Sequence, residues 1–183
     1  MGPMNFRERE YVCRGRTIRL RQPDGIVALR ADPPAAGAHR SVAEAEAAPA
    51  AAVGELPAND VAAFRSAGWS FVAPAAARSA RAATTTAEVL IEPSGRLVLA
   101  TDRLTLKVKG PQGSELDAAR LAAFGVEVVA TLRFAPGLYQ CRVKPGHDGD
   151  VFDVSERLLA DGLVEFAEPD LIGAIGPRSG KRR

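Results

Sequence analysis

Residue types that do covalent or acid–base chemistry are sparse in this chain. Its 183 residues include two histidines, His39 and His147, and two cysteines, Cys13 and Cys141. His39 sits in an Ala/Pro/Gly-rich stretch and His147 in the turn Pro145-Gly146-His147-Asp148-Gly149. Both read as solvated loop residues. No serine stands in a Gly-rich nucleophile elbow, and no phosphate-binding loop or zinc spacing occurs. Two widely separated cysteines make neither a disulfide framework nor a Cys-rich zinc site. The sequence therefore predicts no catalytic residues, no metal and no cofactor. The most pointed pair is Glu168 and Asp170. They are two apart on an extended segment, which turns both carboxylates the same way.

Composition narrows the partners. Hydrophobic residues make up 46% of the chain but aromatics only 5%, so Ala, Val and Leu must build most of a core. Lys plus Arg is 24 against 22 Asp plus Glu, a net charge of +2, which does not predict a nucleic-acid partner. No apolar run approaches the roughly 18 residues of a membrane span. The charged start from Met4 to Arg9 has no apolar h-region, so no signal peptide is expected. That fits a cytoplasmic protein or a trimmed piece of a secreted precursor.

The elements that must position these residues are clearest in the second half. Leu104 to Lys109 alternates strictly, placing Leu104, Leu106 and Val108 on one face of a strand. Ser114 followed by Asp117 resembles a capping box, and Leu116, Ala119, Leu121, Ala123 and Phe124 supply the apolar face of a helix that Gly125 ends. Val126 to Phe134 and Leu138 to Lys144 read as a hairpin around Ala135-Pro136-Gly137, with Val129 interrupting the alternation. Asp150 is placed to cap a helix reaching Ala160, with Val151, Val154 and Leu158 on one stripe, and Leu163 to Ala167 forms a last short strand. Strand, helix, strand, strand, helix, strand is the order of a ferredoxin-like βαββαβ unit, an α+β antiparallel sheet with two helices on one face. Its other face is left uncovered, a feature that often marks a partner surface.

The first half reads as a smaller, divergent copy. Gly25 to Arg30 is a strand, Asn59 caps a short helix with Val61 and Phe64, and Trp69 to Val72 is the next strand. An offset of 57 residues maps Gly68 onto Gly125 and Phe71 onto Val128. Asp32 to Pro57 is an Ala/Pro-rich insertion, with a helix at Ser41 to Ala48 as one option. Tyr11 to Arg14 with Thr17 to Leu20 makes a small hairpin, and Ala87 to Ile91 with Arg96 to Ala100 another. The expected organisation is a first unit at 1–100 with its insertion at 32–57, a second at 101–176, and a basic tail at 177–183.

From about Leu104 to Gly176 the chain resembles the inhibitory propeptide domain of subtilisin-like serine proteases. The resemblance is carried by Leu104-Thr105-Leu106-Lys107-Val108-Lys109, Phe124-Gly125-Val126-Glu127-Val128-Val129, Phe134-Ala135-Pro136-Gly137-Leu138-Tyr139 and Val164-Glu165-Phe166-Ala167-Glu168-Pro169-Asp170, in that order and spacing. The first half looks like the more divergent propeptide copy that precedes this domain in some larger bacterial members. None of the family's three catalytic motifs is present. The resemblance implies an inhibitor and folding chaperone of a subtilase catalytic domain, acting in cis or in trans, and no protease activity.

It also implies roles for particular residues. The exit peptide Leu171-Ile172-Gly173-Ala174-Ile175-Gly176 would enter the substrate cleft as an added strand. Family alignment puts Gly173 to Gly176 in the four subsites before the scissile bond; a one-residue shift would put Ile172 and Ile175 at the outer two. The alternative is that Leu171 to Ile175 extends the last strand. Glu168 and Asp170 would cap the N-termini of two protease helices, which offer unpaired N–H groups and partial positive charge; the alternative is two solvated carboxylates. Tyr139, Cys141 and Val143 would form an apolar strip docking on the protease, or else belong to the core with Leu138, Gln140 and Arg142 outside. A ferredoxin-like adaptor or oligomerisation module, or a small-molecule sensor, is the rival reading.

Overall fold

The computed structural model describes residues 5–13, 15–31, 50–79, 84–110, 118–133 and 135–174. Expectations for His39, a helix at 41–48, the Ser114 capping box, Ile175, Gly176 and the tail fall outside them. The described chain is α+β, with a mostly antiparallel sheet and few, short helices. Its strands are β1 Phe6–Cys13, β2 Arg16–Pro23, β3 Val27–Ala31, β4 Ser70–Val72, β5 Thr84–Ile91, β6 Leu97–Val108, β7 Val126–Thr131, β8 Leu138–Val143 and β9 Val164–Gly173. Its helices are α1 Ala50–Gly54, α2 Ala58–Ser66, α3 Pro74–Ser79, α4 Ala118–Ala123 and α5 Val151–Ala160.

Two compact units emerge. Counting described residues only, the first draws on Met1–Glu8, Leu20–Leu99 and Ile172–Arg183, and the second on Arg9–Arg19 and Ala100–Leu171. Within β6 the division falls between Leu99 and Ala100. The end of β9, however, is part of the first unit, and the tip of the β1–β2 hairpin is part of the second.

In the first unit β3 lies between β4 and β5 and is antiparallel to both. The core is Ala28, Val61, Phe64, Trp69, Phe71, Val89 and Leu97 with their neighbours. α2 buries Val61 and Phe64, the two residues that its spacing singles out. Its N-cap is Pro57, not Asn59, and no side chain caps it. Pro57 is extended at ψ 107°, and its carbonyl accepts the Val61 N–H at 3.0 Å as the first bond of the helix. The pairing differs from that of a copied unit: β4 sits directly beside β3, whereas in the second unit β8 separates β7 from β6.

In the second unit the strand order is β9-β6-β8-β7. β6 and β8 pair antiparallel with Leu104 opposite Cys141 and Thr105 opposite Gln140. β7 and β8 pair antiparallel, with a register shift between Val128 and Ala130. This bulge is where Val129 breaks the alternation, and on this last strand of the order Val128 and Val129 are 39% and 44% exposed. Just before β9, Leu163 accepts from the Lys109 N–H; along it Glu165 pairs with Lys107 and Asp170 meets Thr105, so β9 runs opposite to β6.

α5 starts as its sequence predicts. The Asp150 carboxylate accepts the N–H groups of Phe152 and Asp153 at 2.9 and 3.1 Å, and the Asp153 carboxylate accepts the Asp150 N–H at 3.1 Å. This reciprocal capping box also holds an ion pair from Arg9 to Asp150. Val151, Val154 and Leu158 are buried, as is Phe152, whose ring meets Tyr11 edge-on at 5.8 Å.

Gly125 ends α4 at φ +70°. Its carbonyl accepts the Lys144 N–H at 2.7 Å, and the His147 ring packs against the place where a Cβ would stand. His147 is thus a packed turn residue rather than a solvated one. Gly125→Ala should lower the urea midpoint. The left-handed backbone alone costs about 1–2 kcal/mol, and the ring clash adds to it. Measured against His147→Ala, the same Gly125→Ala change should cost less; an equal cost in both backgrounds would show that the ring contact contributes nothing.

Candidate functional site

The second unit's sheet has one apolar face and one polar face. Leu104, Leu106 and Val108 of β6 are buried, as are Cys141 and Val143 of β8 and Val126 of β7. Alternation then turns Thr105, Lys107, Gln140, Arg142 and Glu127 to the other face. On that face Lys107 pairs with Glu165 at 2.6 Å and Arg142 with Glu127. These pairs are half exposed and contribute little to stability.

Cys141 and Val143 are therefore core, and the expected apolar docking strip is corrected. Cys141 stands opposite Leu104 and Val143 opposite Val126, both on the buried side, while Tyr139 is half-buried. Leu138, Gln140 and Arg142 occupy the outward positions.

Where β9 runs beside β6, it forms one wall of a shallow depression of about 480 Å³ on this face, lined by Thr105, Leu138 and the β9 residues Phe166, Glu168, Pro169, Asp170 and Leu171. Both carboxylates of the pair line it, so the two-residue spacing brings them into one site. Thr105 Oγ1 donates to one Asp170 oxygen at 2.8 Å, and Gln140 Nε2 donates to the other at 3.4 Å. A charge-assisted bond to each oxygen fixes the carboxylate's orientation. It still has lone pairs to offer a further donor. Phe166, Leu138, Pro169 and Leu171 give the depression apolar walls. The arrangement suits a ligand group with N–H donors or positive charge.

Pattern reading identified the pair but not its partners. Thr105 and Gln140 are cross-strand neighbours, a relation available only once β6 and β8 are in register.

Of the six residues expected to leave the fold, four are described. Leu171, Ile172 and Gly173 belong to β9, so the segment extends the last strand this far. Ile172 is 36% exposed. Ala174 is buried in the first unit's core, and its carbonyl accepts from Arg96 Nη2 at 2.7 Å. Ile175 and Gly176 lie beyond the described residues. No group of His, Cys, Asp or Glu among the described residues is arranged to hold a metal ion. No described helix is long and apolar enough to cross a membrane. Comparison with protein-family models, curated proteins and solved structures finds no match to the chain.

Cys141 reports on this site from the opposite face. Burial, and secondarily the charge of Asp170, push its thiol from 9.0 up to about 12. Below pH 9 the folded and unfolded chains both keep the proton, so the thiol adds no pH dependence. Above it only the unfolded chain releases the proton, and stability falls by up to ~1.4 kcal/mol per pH unit towards pH 12. Urea unfolding of wild type and Cys141→Ala at pH 8 and 10 should show the stability gap between them narrowing at the higher pH. A constant gap would place the thiol at its ordinary value.

Proposed function

We propose that the second unit is a ferredoxin-like βαββαβ domain and that the chain is a propeptide-type inhibitor and folding chaperone of a subtilisin-like serine protease. The observation that carries the reading is the polar sheet face with Glu168 and Asp170 in one depression. The order β9-β6-β8-β7 with interposed α4 and α5 is the arrangement such a domain needs. Its outward face is open to a partner, and β9 leads directly from the acidic pair into the segment that would occupy a cleft.

In this reading the face docks on the catalytic domain. Glu168 and Asp170 accept N–H groups from protease helix N-termini, each contact worth ~0.3–1 kcal/mol at an exposed site and up to ~2 kcal/mol when partly buried. Asp170 is suited to this because Thr105 and Gln140 already hold it, so little side-chain freedom is lost on binding. The segment after Asp170 adds as a strand to the cleft, through main-chain hydrogen bonds.

One observation favours the rival reading of an adaptor or oligomerisation module. β7 ends the strand order and exposes Val128 and Val129, an edge that a second strand could cover.

Inhibition of a subtilisin-like protease by the purified chain tests the proposal. Truncation after Asp170 should weaken inhibition at least tenfold, about 1.4 kcal/mol. Equal inhibition by the truncated chain would remove the cleft role. Glu168→Ala with Asp170→Ala should also weaken binding while the circular dichroism spectrum stays unchanged. No inhibition, together with a concentration-dependent dimer lost in Val128→Lys, would establish the rival.

A further inference from the structure

The residue that ends the described chain is bound twice over within the first unit. Ala174 is only 7% exposed and belongs to the core cluster that includes Trp69 and Leu97. Its carbonyl accepts from Arg96 Nη2 at 2.7 Å. The same guanidinium places Nε 3.6 Å from Asp60 Oδ2, and that carboxylate oxygen accepts the Leu97 N–H at 2.8 Å.

The sequence sets up this arrangement from two directions. Asp60 lies in the first turn of α2. Arg96 follows the turn Pro93-Ser94-Gly95, where Gly95 has φ +82° and the Glu92 N–H donates to the Arg96 carbonyl at 2.9 Å. Asp60 is the sheltered partner, with its side chain 14% exposed, and Arg96 the open one at 53%. The hold is therefore specific in geometry but reachable by water.

A residue in a protease subsite gives its main chain and side chain to the enzyme. The carbonyl and methyl of Ala174 are already committed to Arg96 and the core. We propose that Asp60, Arg96 and Ala174 form an autoinhibitory clasp: the first unit holds the start of the C-terminal segment, and the segment enters a cleft only when Ala174 leaves. The proposal rests on the propeptide reading for the identity of the cleft. The clasp lowers apparent affinity by the fraction of molecules in which the segment is free. It gives the first unit a task that the second, with its docking face, does not supply.

The full chain and Arg96→Ala are compared by two measurements, hydrogen exchange of the Gly173 and Ala174 amides without protease, and inhibition of a subtilisin-like protease. Arg96→Ala should speed exchange at these amides roughly threefold to tenfold and tighten inhibition by a similar factor. Arg96→Lys and Asp60→Asn should fall between it and wild type, the latter keeping an acceptor for the Leu97 N–H. Unchanged exchange in Arg96→Ala would overturn the clasp. Faster exchange with weaker inhibition would overturn the autoinhibitory role, because Arg96 would then be helping the segment into the cleft. Faster exchange with no inhibition by either chain would uphold the physical hold, and would overturn both the autoinhibitory role and the propeptide reading.

Discussion

The pairing of Leu104 with Cys141 is the constraint on which the second unit depends. It puts two fully buried side chains on one face and thereby turns Thr105 and Gln140 to the other. A slip of one residue would exchange the faces along β8, exposing Cys141 and Val143 and burying Gln140 and Arg142. Burying those polar groups without partners would cost several kcal/mol, so the register is strongly specified. Once it is set, Asp170 has two donors waiting where β9 arrives. The acidic site is thus a by-product of core packing: the apolar face fixes the register and the register assembles the polar face.

How much of this is legible in the sequence depends on the range of the interaction. Asp150 and Asp153 are three residues apart, and their reciprocal capping of α5 follows from spacing alone. The stripe of Val151, Val154 and Leu158 is equally local. Val129 out of phase marks the bulge in β7 before any pairing is known. The face of β8 is a different problem, because Tyr139, Cys141 and Val143 on one side and Leu138, Gln140 and Arg142 on the other both mix apolar with polar character. Only the partner strands decide between them, and Leu104 and Val126 do so. At the start of α2, Asn59 has the better capping chemistry, but it lies inside the first turn, and the Pro57 carbonyl takes the first helical bond from the Val61 N–H.

The least legible contact is that of Arg96 with Ala174, 78 residues apart in sequence. Nothing in Leu171-Ile172-Gly173-Ala174 distinguishes a segment that leaves the fold from one that continues a strand, since both are short and apolar. What decides here is the cluster around Trp69 and Leu97, which takes in the Ala174 side chain. A small side chain at 174 fits such a place, and a guanidinium nearby answers the carbonyl that the methyl brings with it. The first unit thereby has a defined relation to the C-terminal segment that does not depend on its being a copy of the second.

The strength of that hold matters for what the chain can do. Burying one alanine methyl contributes less than 1 kcal/mol on the scale of a single CH₂ group, and a net hydrogen bond to a charged donor about 1.5–3 kcal/mol at most. Exposure of Arg96 moves the second figure towards its lower end. The sum is small beside the stability of a folded domain, so β9 can lose its last residues without unfolding the rest. Asp170, by contrast, is held by bonds internal to the second unit and need not move when a ligand group approaches. In the proposed inhibitor role, such a chain would dock through the face that carries Asp170 first and exchange its segment afterwards.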